Sequence, residues 1–125
     1  MSSSRDPHDL IPLRPVEFEI LLVLTGGEAH GYKIIREAEV RSGGHLRFAT
    51  GTLYRGLRRL VSAGLVQPAE RRPAPDAEDE RRRYFAITPF GRAVAAAEAQ
   101  RLAAQVEAAR ASALLSSAKA EEGAA

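Results

Sequence analysis

Arginines are the residues of this sequence best suited to chemistry, and they concentrate in one segment, residues 50–66. Arg55, Arg58, Arg59 and Ser62 recur there at helical spacing and therefore fall on one face of a helix. The opposite face is apolar and consists of Leu53, Leu57, Leu60 and Val61. A guanidinium group can donate two parallel hydrogen bonds to guanine, and it also pairs with phosphate. Taken alone, the segment fits a solvated surface helix and a nucleic-acid-binding helix equally well.

Short signals at both ends delimit this helix. Thr50 is expected to cap the first turn, because its hydroxyl can accept a hydrogen bond from an unpaired backbone N–H. Gly64 is expected to end the helix, because glycine readily adopts the left-handed conformation that follows a last turn. Leu65 and Val66 then begin extended chain. The sequence thus predicts a short helix with an apolar back and an arginine front, followed at once by a strand.

The local charge points to nucleic acid more clearly than the total charge does. The formal net charge is only +2. Between His45 and Arg72, however, a single acid, Glu70, stands against the six arginines Arg47, Arg55, Arg58, Arg59, Arg71 and Arg72. A clustered basic segment is the electrostatic footprint of a surface that contacts phosphates.

Length and composition restrict the class of protein. A chain of 125 residues with 45% hydrophobic and 27% charged residues is expected to form one soluble globular domain. The absence of cysteine excludes disulfides and thiolate zinc sites, and the 3 histidines are scattered, so we expect no metal and no cofactor. Without a signal peptide or a membrane-length apolar run, a cytoplasmic location is expected. An enzyme is not expected, because nucleophile elbows, phosphate loops and paired carboxylates are missing from the sequence.

Two helices are predicted ahead of the arginine segment, after a flexible arm at residues 1–13 that shows no periodicity. Pro15 suits a first helical turn, and residues 16–24 are apolar nearly all round, which indicates a central core helix. An added dimer contact through this helix is an equally open interpretation, with Phe18, Leu21 and Leu22 as its residues. Residues 31–41 form the second helix. Two short helices, a glycine-containing turn and a basic helix follow the order of a helix-turn-helix.

After Gly64 the pattern changes to sheet. Residues 65–67 and 81–87 are predicted strands, and the connecting residues 71–80 contain two prolines and four acids. A hairpin beside a helix-turn-helix is a wing, and its acids are expected to form a solvated tip. The arginines at its base are expected to contact phosphates: Arg71, Arg72, Arg81, Arg82 and Arg83.

Thr88 and Pro89 predict the start of a last helix, as the cap and the first helical residue. The helix is expected to run to about residue 116, and at about 1.5 Å per residue its length of about 40 Å exceeds what so small a domain can cover. A heptad-like seam indicates dimerisation through Ala95, Ala99, Leu102, Val106, Ala109 and Ala113. The alternative is a long solvated helix favoured by alanine propensity.

The predicted fold class is therefore mainly α with a small β-hairpin. A winged helix-turn-helix domain is expected at residues 14–88, a C-terminal dimerisation helix at residues 89–117, and a flexible tail at residues 118–125.

Several short motifs support this order. The most specific is Gly51-Thr52-Leu53-Tyr54-Arg55, which continues to Gly64-Leu65-Val66. Others are Glu17-Phe18, His30-Gly31-Tyr32 and Arg82-Arg83-Tyr84-Phe85. In this order and spacing they resemble the PadR family of bacterial transcription regulators over residues 13–115. The single C-terminal helix is similar to that of its short-chain branch.

The resemblance implies a homodimer that binds an inverted-repeat operator in double-stranded DNA. Such proteins usually repress genes for detoxification, efflux or stress response. In several members a small-molecule effector enters a pocket at the dimer interface and lowers the affinity for DNA. Members that stack flat drugs use a tryptophan of the last helix, and this chain has no tryptophan, so that mechanism is not implied here.

In this fold the third helix would lie in the major groove with its N-terminal residues toward the base edges. Arg55 and Arg58 are then candidates for base reading, whereas Arg59 would contact phosphate. Tyr54 lies at the edge of the apolar stripe and could pack instead of reading a base. Besides the arginines of the wing, the residues expected to contact DNA are Tyr32, Lys33, Thr50, Gly51, Thr52, Tyr54, Arg55, Arg58 and Arg59.

Two rival interpretations stay open. A MarR-type regulator also has an arginine-bearing strand after its recognition helix, but it builds its dimer from a long helix before the first one here. The residues before Pro15 are few and rich in helix breakers. A winged helix that serves as a protein-binding adaptor would place the arginine face on an acidic partner and bind DNA weakly at physiological salt.

Overall fold

The computed structural model describes residues 5–69 and 83–115. It is mainly helical with a small three-stranded antiparallel sheet, which confirms the predicted fold class. After a 3-10 helix at Pro7–Leu10, the elements in chain order are α1 Pro15–Leu24, β1 Ala29–His30, α2 Gly31–Arg41, α3 Thr50–Ala63, β2 Val66–Ala69, β3 Tyr84–Ile87 and α4 Pro89–Ala111. Within these described ranges, none of the helices combines the length and the hydropathy that a membrane span requires.

Helix α1 forms the centre of the core, as its all-round apolar sequence predicts. It contacts α2, α3 and α4, and Ile20, Leu21 and Leu24 are fully buried. Leu21 is buried within its own chain, and a dimer contact through it stays a prediction. Phe18 and Leu22 are only partly buried. The core position of this helix gives α3 a rigid support.

The two ends of α3 agree only in part with the sequence-based expectation. Ala49 is the capping residue and Thr50 is already helical, without a side-chain cap, so the predicted Thr50 cap is wrong. At the other end Gly64 has a φ of 84° and adopts the left-handed conformation, as predicted. The N–H of Leu65 donates to the carbonyl of Leu60 over 2.9 Å, and the chain then enters β2.

The sheet contains one strand more than the predicted hairpin. Its order is β1-β3-β2, and Val66 of β2 faces Ile87 of β3 in the antiparallel register. The additional strand, β1, places Ala29 opposite Phe85 and lies between α1 and α2 in the chain. A strand of two residues is too short to show an alternating pattern, which is why the sequence did not reveal it.

The N-terminal segment differs from the expected flexible arm. From residue 5 onward it is folded against the domain, and its 3-10 helix contacts α4. Leu10, Ile11 and Leu13 pack against the core, although their spacing follows no helical or strand period. The guanidinium of Arg5 lies 4.4 Å from the ring centroid of Phe90, at the start of α4. Its Nη2 also donates to the carbonyl of Ala63, at the end of α3.

Helix α4 begins as predicted and ends earlier. Thr88 caps it, because its hydroxyl accepts from the N–H of Gly91 over 2.9 Å, and Pro89 is the first helical residue. The last helical residue is Ala111, and Ala113 has a φ of 62°, so this member of the predicted seam lies beyond the helix. At 1.5 Å per residue the helix is about 34 Å long.

The first part of α4 packs on its own domain, and the second part leaves it. Ala95 is buried against the core of its own chain, and its part in a dimer seam stays a prediction. From Ala99 onward most side chains are exposed, and Val106 keeps 43% of its accessible surface. The exposed part of the predicted seam within the helix therefore runs from Ala99 to Ala109, with Leu102 and Ala109 half-buried.

Candidate nucleic-acid interface

The outer face of α3 carries the arginines, and its inner face closes the core. Leu53, Leu57 and Leu60 are buried, whereas the exposed residues on the outer side include Gly51, Arg55, Arg58 and Ser62. This division follows from the 3.6-residue repeat, because leucines three or four positions apart share one stripe. The predicted helix with an apolar back and an arginine front is confirmed.

Close packing of α3 on α1 fixes the direction of this outer face. A Cβ atom on Gly56 would lie 3.1 Å from Cδ1 of Ile20 and 3.5 Å from Cγ1 of Val16. These distances show that the two helices approach with almost no space between them. The arginine face therefore points away from the core in a defined orientation.

Arg55 and Arg58 are available to an external anion. The Arg55 guanidinium lies 3.4 Å from the hydroxyl of Thr52, one turn earlier on the same helix. In the part of the chain that the structure describes, neither arginine pairs with a carboxylate. An exposed guanidinium without a carboxylate partner can bind a base edge or a phosphate at little cost, because no ion pair has to be broken first.

A groove of about 340 Å³ separates α3 from the sheet. Its lining is mostly apolar and includes the polar side chains of Arg58, Ser62 and Arg83. The residues that line it are Tyr54, Leu57, Arg58, Val61, Ser62, Pro68, Arg83 and Phe85. Arg83, a predicted wing-base residue, thus lines the same groove as the predicted base reader Arg58. The other predicted wing arginines, Arg71, Arg72, Arg81 and Arg82, lie outside the described residues.

The two residues at the start of α2 that are predicted to contact the DNA backbone are exposed on the surface. Tyr32 is 63% exposed, and Lys33 is exposed as well. Nδ1 of His30 accepts from the N–H of Lys33 over 3.2 Å and thereby caps the helix. The His30 ring also meets the ring of Tyr84 edge-on, with centroids 5.2 Å apart. Capping by His30 is a role that the sequence motif alone did not indicate.

Tyr54 of α3 packs against the start of α2. It is half-buried and joins the residues around the core. A Cβ atom on Gly31 would lie 2.5 Å from its hydroxyl oxygen and 3.0 Å from Cζ. The ring therefore occupies the space that a glycine leaves at the start of α2. This arrangement favours the packing role that the sequence left open for Tyr54.

Arg59 has an internal partner that the sequence did not reveal. Its Nε donates to Oε2 of Glu17, a residue of α1 whose side chain is only 10% exposed. Nε of Arg14 lies 3.8 Å from the same oxygen. Arg59 is thus distinguished from Arg55 and Arg58, although all three were expected on one DNA-facing surface. A contact between Arg59 and phosphate stays a prediction.

A second buried carboxylate joins the N-terminal segment to α4. Glu98 is 2% exposed and accepts from Nε and NH2 of Arg101 over 2.6 and 2.9 Å. The hydrogen bonds from Arg101 hold the pKa of Glu98 below its ordinary value, despite the opposing effect of burial. The sequence does not reveal that Glu98 is buried or that its Oε2 accepts from the backbone N–H of Leu13.

A comparison with protein families and known proteins agrees with this geometry. The model of the transcriptional regulator PadR-like family matches residues 20–97. An uncharacterized 37.1 kDa protein of transposon TN4556 from Streptomyces fradiae is 39% identical over 84 residues. That alignment covers 67% of this chain and 22% of the Streptomyces protein, so the chain spans about a fifth of that protein's length.

Solved structures show the same fold. A PadR family transcription regulator from Clostridium difficile superposes with a TM-score of 0.64 at 21% identity, covering 76% of this chain and 94% of that chain. Bacillus subtilis PadR, solved in complex with operator DNA, gives a TM-score of 0.53 at 21% identity, covering 65% of this chain and 44% of that chain. From the family match over most of its length, this chain belongs to the PadR-like family of transcriptional regulators.

Proposed function

We propose that this protein is a sequence-specific DNA-binding repressor that acts as a homodimer in the bacterial cytoplasm. The observation that carries the proposal is the arginine face of α3, where Arg55 and Arg58 are exposed and have no carboxylate partner among the described residues. The structure of Bacillus subtilis PadR with operator DNA supports the same role for this family. The regulated genes are those for detoxification, efflux or stress response, as the family resemblance implies.

Helix α3 enters the major groove through its N-terminal half. Gly51, Thr52 and Arg55 come from its first two turns, and Arg58 follows one turn later. Arginines in these positions read guanine by two parallel hydrogen bonds. Tyr32 and Lys33 at the start of α2, and Arg83 before β3, contact the backbone phosphates on either side. These phosphate contacts fix the register of the protein on DNA but carry no base information.

Dimerisation places two such helices on one operator. The support is the second part of α4, which leaves its own domain and exposes Ala99 and Val106 on the predicted seam. The alanines of the seam allow two helices to approach closely. A two-fold axis between the α4 helices requires a palindromic site with half-sites one or two turns of DNA apart.

A small-molecule effector acts at the contact between protomers. Phe18 and Leu22 of α1 are partly exposed and supply apolar surface for it. An effector lowers the affinity for DNA only if it binds the dimer geometry that cannot engage DNA more tightly than the geometry that can. A dimer structure without any cavity between α1 and α4 of the two protomers would contradict this part of the proposal.

Fluorescence anisotropy tests the function directly. The purified protein is titrated onto labelled DNA from upstream of its own gene and onto a scrambled duplex of equal length, over a series of salt concentrations. Specific recognition predicts tighter binding to the native sequence, by about a thousandfold or more at physiological salt. Equal affinity for both duplexes with a steep salt dependence would leave only electrostatic binding and would favour the adaptor interpretation.

Arg58→Gln and Arg110→Gln form a matched pair for this titration. Both substitutions remove one exposed arginine from a helix, but Arg110 lies near the end of α4. The proposed function requires that Arg58→Gln weakens operator binding and that Arg110→Gln does not. Equal losses in the two variants would mean that only total charge matters.

A further inference from the structure

An ion pair across the α1–α3 contact occupies one of the arginines of α3, so that this arginine is less available to DNA. Glu17 is buried, and its Oε2 accepts from Nε of Arg59. The two residues are 42 positions apart in the chain. Arg59 keeps 41% of its side-chain surface exposed, so it lies at the boundary between the core and the outer face. It is therefore close enough to the surface to reach an external anion if the pair is broken.

Arg59 also stands next to the proposed DNA contacts. It follows Arg55 by four positions on α3, and residues at this spacing are neighbours on a helix surface. A helix that enters the major groove by its N-terminal residues carries its later turns past the phosphate backbone. A free guanidinium at position 59 would therefore meet a phosphate.

Separating Glu17 from Arg59 would cost free energy. A buried carboxylate that loses its counter-ion carries an uncompensated desolvation cost, and the second cation, Nε of Arg14, lies at 3.8 Å and on a mostly exposed side chain. The bond from Nε holds the Arg59 guanidinium against α1, so a phosphate has to compete with Glu17 for this charge. No carboxylate imposes this cost on Arg55 or Arg58 within the described ranges.

We propose that Glu17 is a positioning residue that lowers the affinity for DNA of any sequence, because it holds Arg59 away from the DNA phosphates. A phosphate contact adds to the affinity for specific and non-specific DNA alike, so withholding one cation lowers both and leaves the base contacts of Arg55 and Arg58 unchanged. Glu17 thus limits the electrostatic part of DNA binding without touching DNA. This inference rests on the proposed function as a DNA-binding regulator.

The test is the salt dependence of binding to a scrambled duplex. Each phosphate that a protein neutralises adds about 0.9 to the slope of log affinity against log salt concentration. Glu17→Gln should free Arg59 and steepen the slope by about 0.9 per protomer. Between 50 and 200 mM salt the affinity of the variant should then fall by about 3.5-fold more per protomer than that of the unmodified protein.

Two controls separate the freed arginine from a change of total charge. Glu19→Gln removes the same charge from the same helix, but its partner is Arg41 of α2, at 2.6 Å, so the slope should stay unchanged. The double variant Glu17→Gln/Arg59→Gln should return the slope to that of the unmodified protein. Circular dichroism confirms that each variant is folded before its slope is compared.

Arg59→Gln alone provides an independent measurement if Glu17→Gln does not fold. The proposal predicts an unchanged slope for this variant, because the arginine makes no phosphate contact in the unmodified protein. A slope that is shallower by about 0.9 per protomer would overturn the proposal, since Arg59 would then already neutralise a phosphate. An unchanged slope in folded Glu17→Gln would overturn it as well.

Failure of the proposed function would give a different result. An unmodified protein that binds operator and scrambled DNA equally well would contradict the proposed function, whereas the slopes that test Glu17 are measured on scrambled DNA and do not depend on that preference.

Discussion

The backbone N–H of Leu13 donates a 3.0 Å hydrogen bond to Oε2 of Glu98, across 85 positions of the chain. The acceptor is buried and also holds Arg101. The bond fixes the end of the N-terminal segment on α4. At the other end of the same segment Arg5 contacts Phe90 of α4 and the last turn of α3. The segment therefore connects the helix proposed to bind DNA with the helix proposed to form the dimer.

Glu98→Ala should lower the free energy of unfolding by about 1–3 kcal/mol at neutral pH, because it leaves the Leu13 N–H without its acceptor. Urea denaturation followed by circular dichroism measures the change. Glu107→Ala is the matched control, since Glu107 is exposed on the same helix and pairs with Arg110 only at 3.7 Å. Its effect should stay within about 0.5 kcal/mol. Equal effects of the two substitutions would contradict a structural role for the buried carboxylate.

The contribution of Glu98 should also depend on pH. Because Arg101 lowers the pKa of Glu98 in the folded chain, the folded state binds this proton more weakly than the unfolded state does. The stabilisation is therefore present above the ordinary glutamate pKa of 4.5 and is lost as the pH falls through the lower folded value. The difference in unfolding free energy between the unmodified protein and Glu98→Gln should shrink below about pH 4.5. A difference that stays constant from pH 7 to pH 3 would argue against this linkage.

Gly91→Ala should destabilise the fold by about 1–3 kcal/mol, because α4 and the start of β2 have no space for a side chain there. A Cβ atom would lie 2.9 Å from Cγ1 of Ile87 and closer still to the carbonyl oxygen of Leu65. Thermal denaturation measures the loss. Gly51→Ala is the control, because its Cβ would meet only NH1 of Arg55 at 3.4 Å. That substitution should be neutral or stabilise α3 by up to about 1 kcal/mol.

Arg58→Ala separates base reading from phosphate contact. If Arg58 reads a base, affinity should fall by about 1–3 kcal/mol on the operator, and the variant should no longer discriminate at one base-pair position. Anisotropy titrations on a panel of single-base operator variants measure both effects. A loss that is uniform over all sequences, with a shallower salt slope, would make Arg58 a phosphate contact instead.

Val106→Glu should prevent dimerisation without unfolding the protomer. Val106 is 43% exposed on the part of α4 that leaves the domain, so a charge there costs nothing until a second helix covers it. Sedimentation equilibrium should show a dissociation constant at least about tenfold higher, which corresponds to about 1.4 kcal/mol. Gln105→Glu, exposed on the neighbouring position, is the control and should leave the dimer intact. An unchanged association of Val106→Glu would place the dimer contact elsewhere.

Local signals in the sequence determined the main helices and the arginine face. The leucine spacing of α3, the left-handed Gly64 after it, and the Thr88-Pro89 start of α4 each act within a few residues of the chain. Their outcome depends on backbone geometry and on the side of a helix that is apolar, so they are readable without tertiary information. The same reasoning failed for Thr50, because sequence alone cannot separate a cap from the first helical position one residue away.

Tertiary structure alone decided which charged residues are buried and which are free. The partners Glu17 and Arg59 are 42 positions apart, and Leu13 and Glu98 are 85 positions apart. Periodicity assigns a residue to a face of its own helix, but it does not say which other element covers that face. The packing of α1 against α3, and of residues 5–13 on α4, supplies that cover. For this reason the sequence identifies three arginines on one helix, and only the fold separates Arg59 from Arg55 and Arg58.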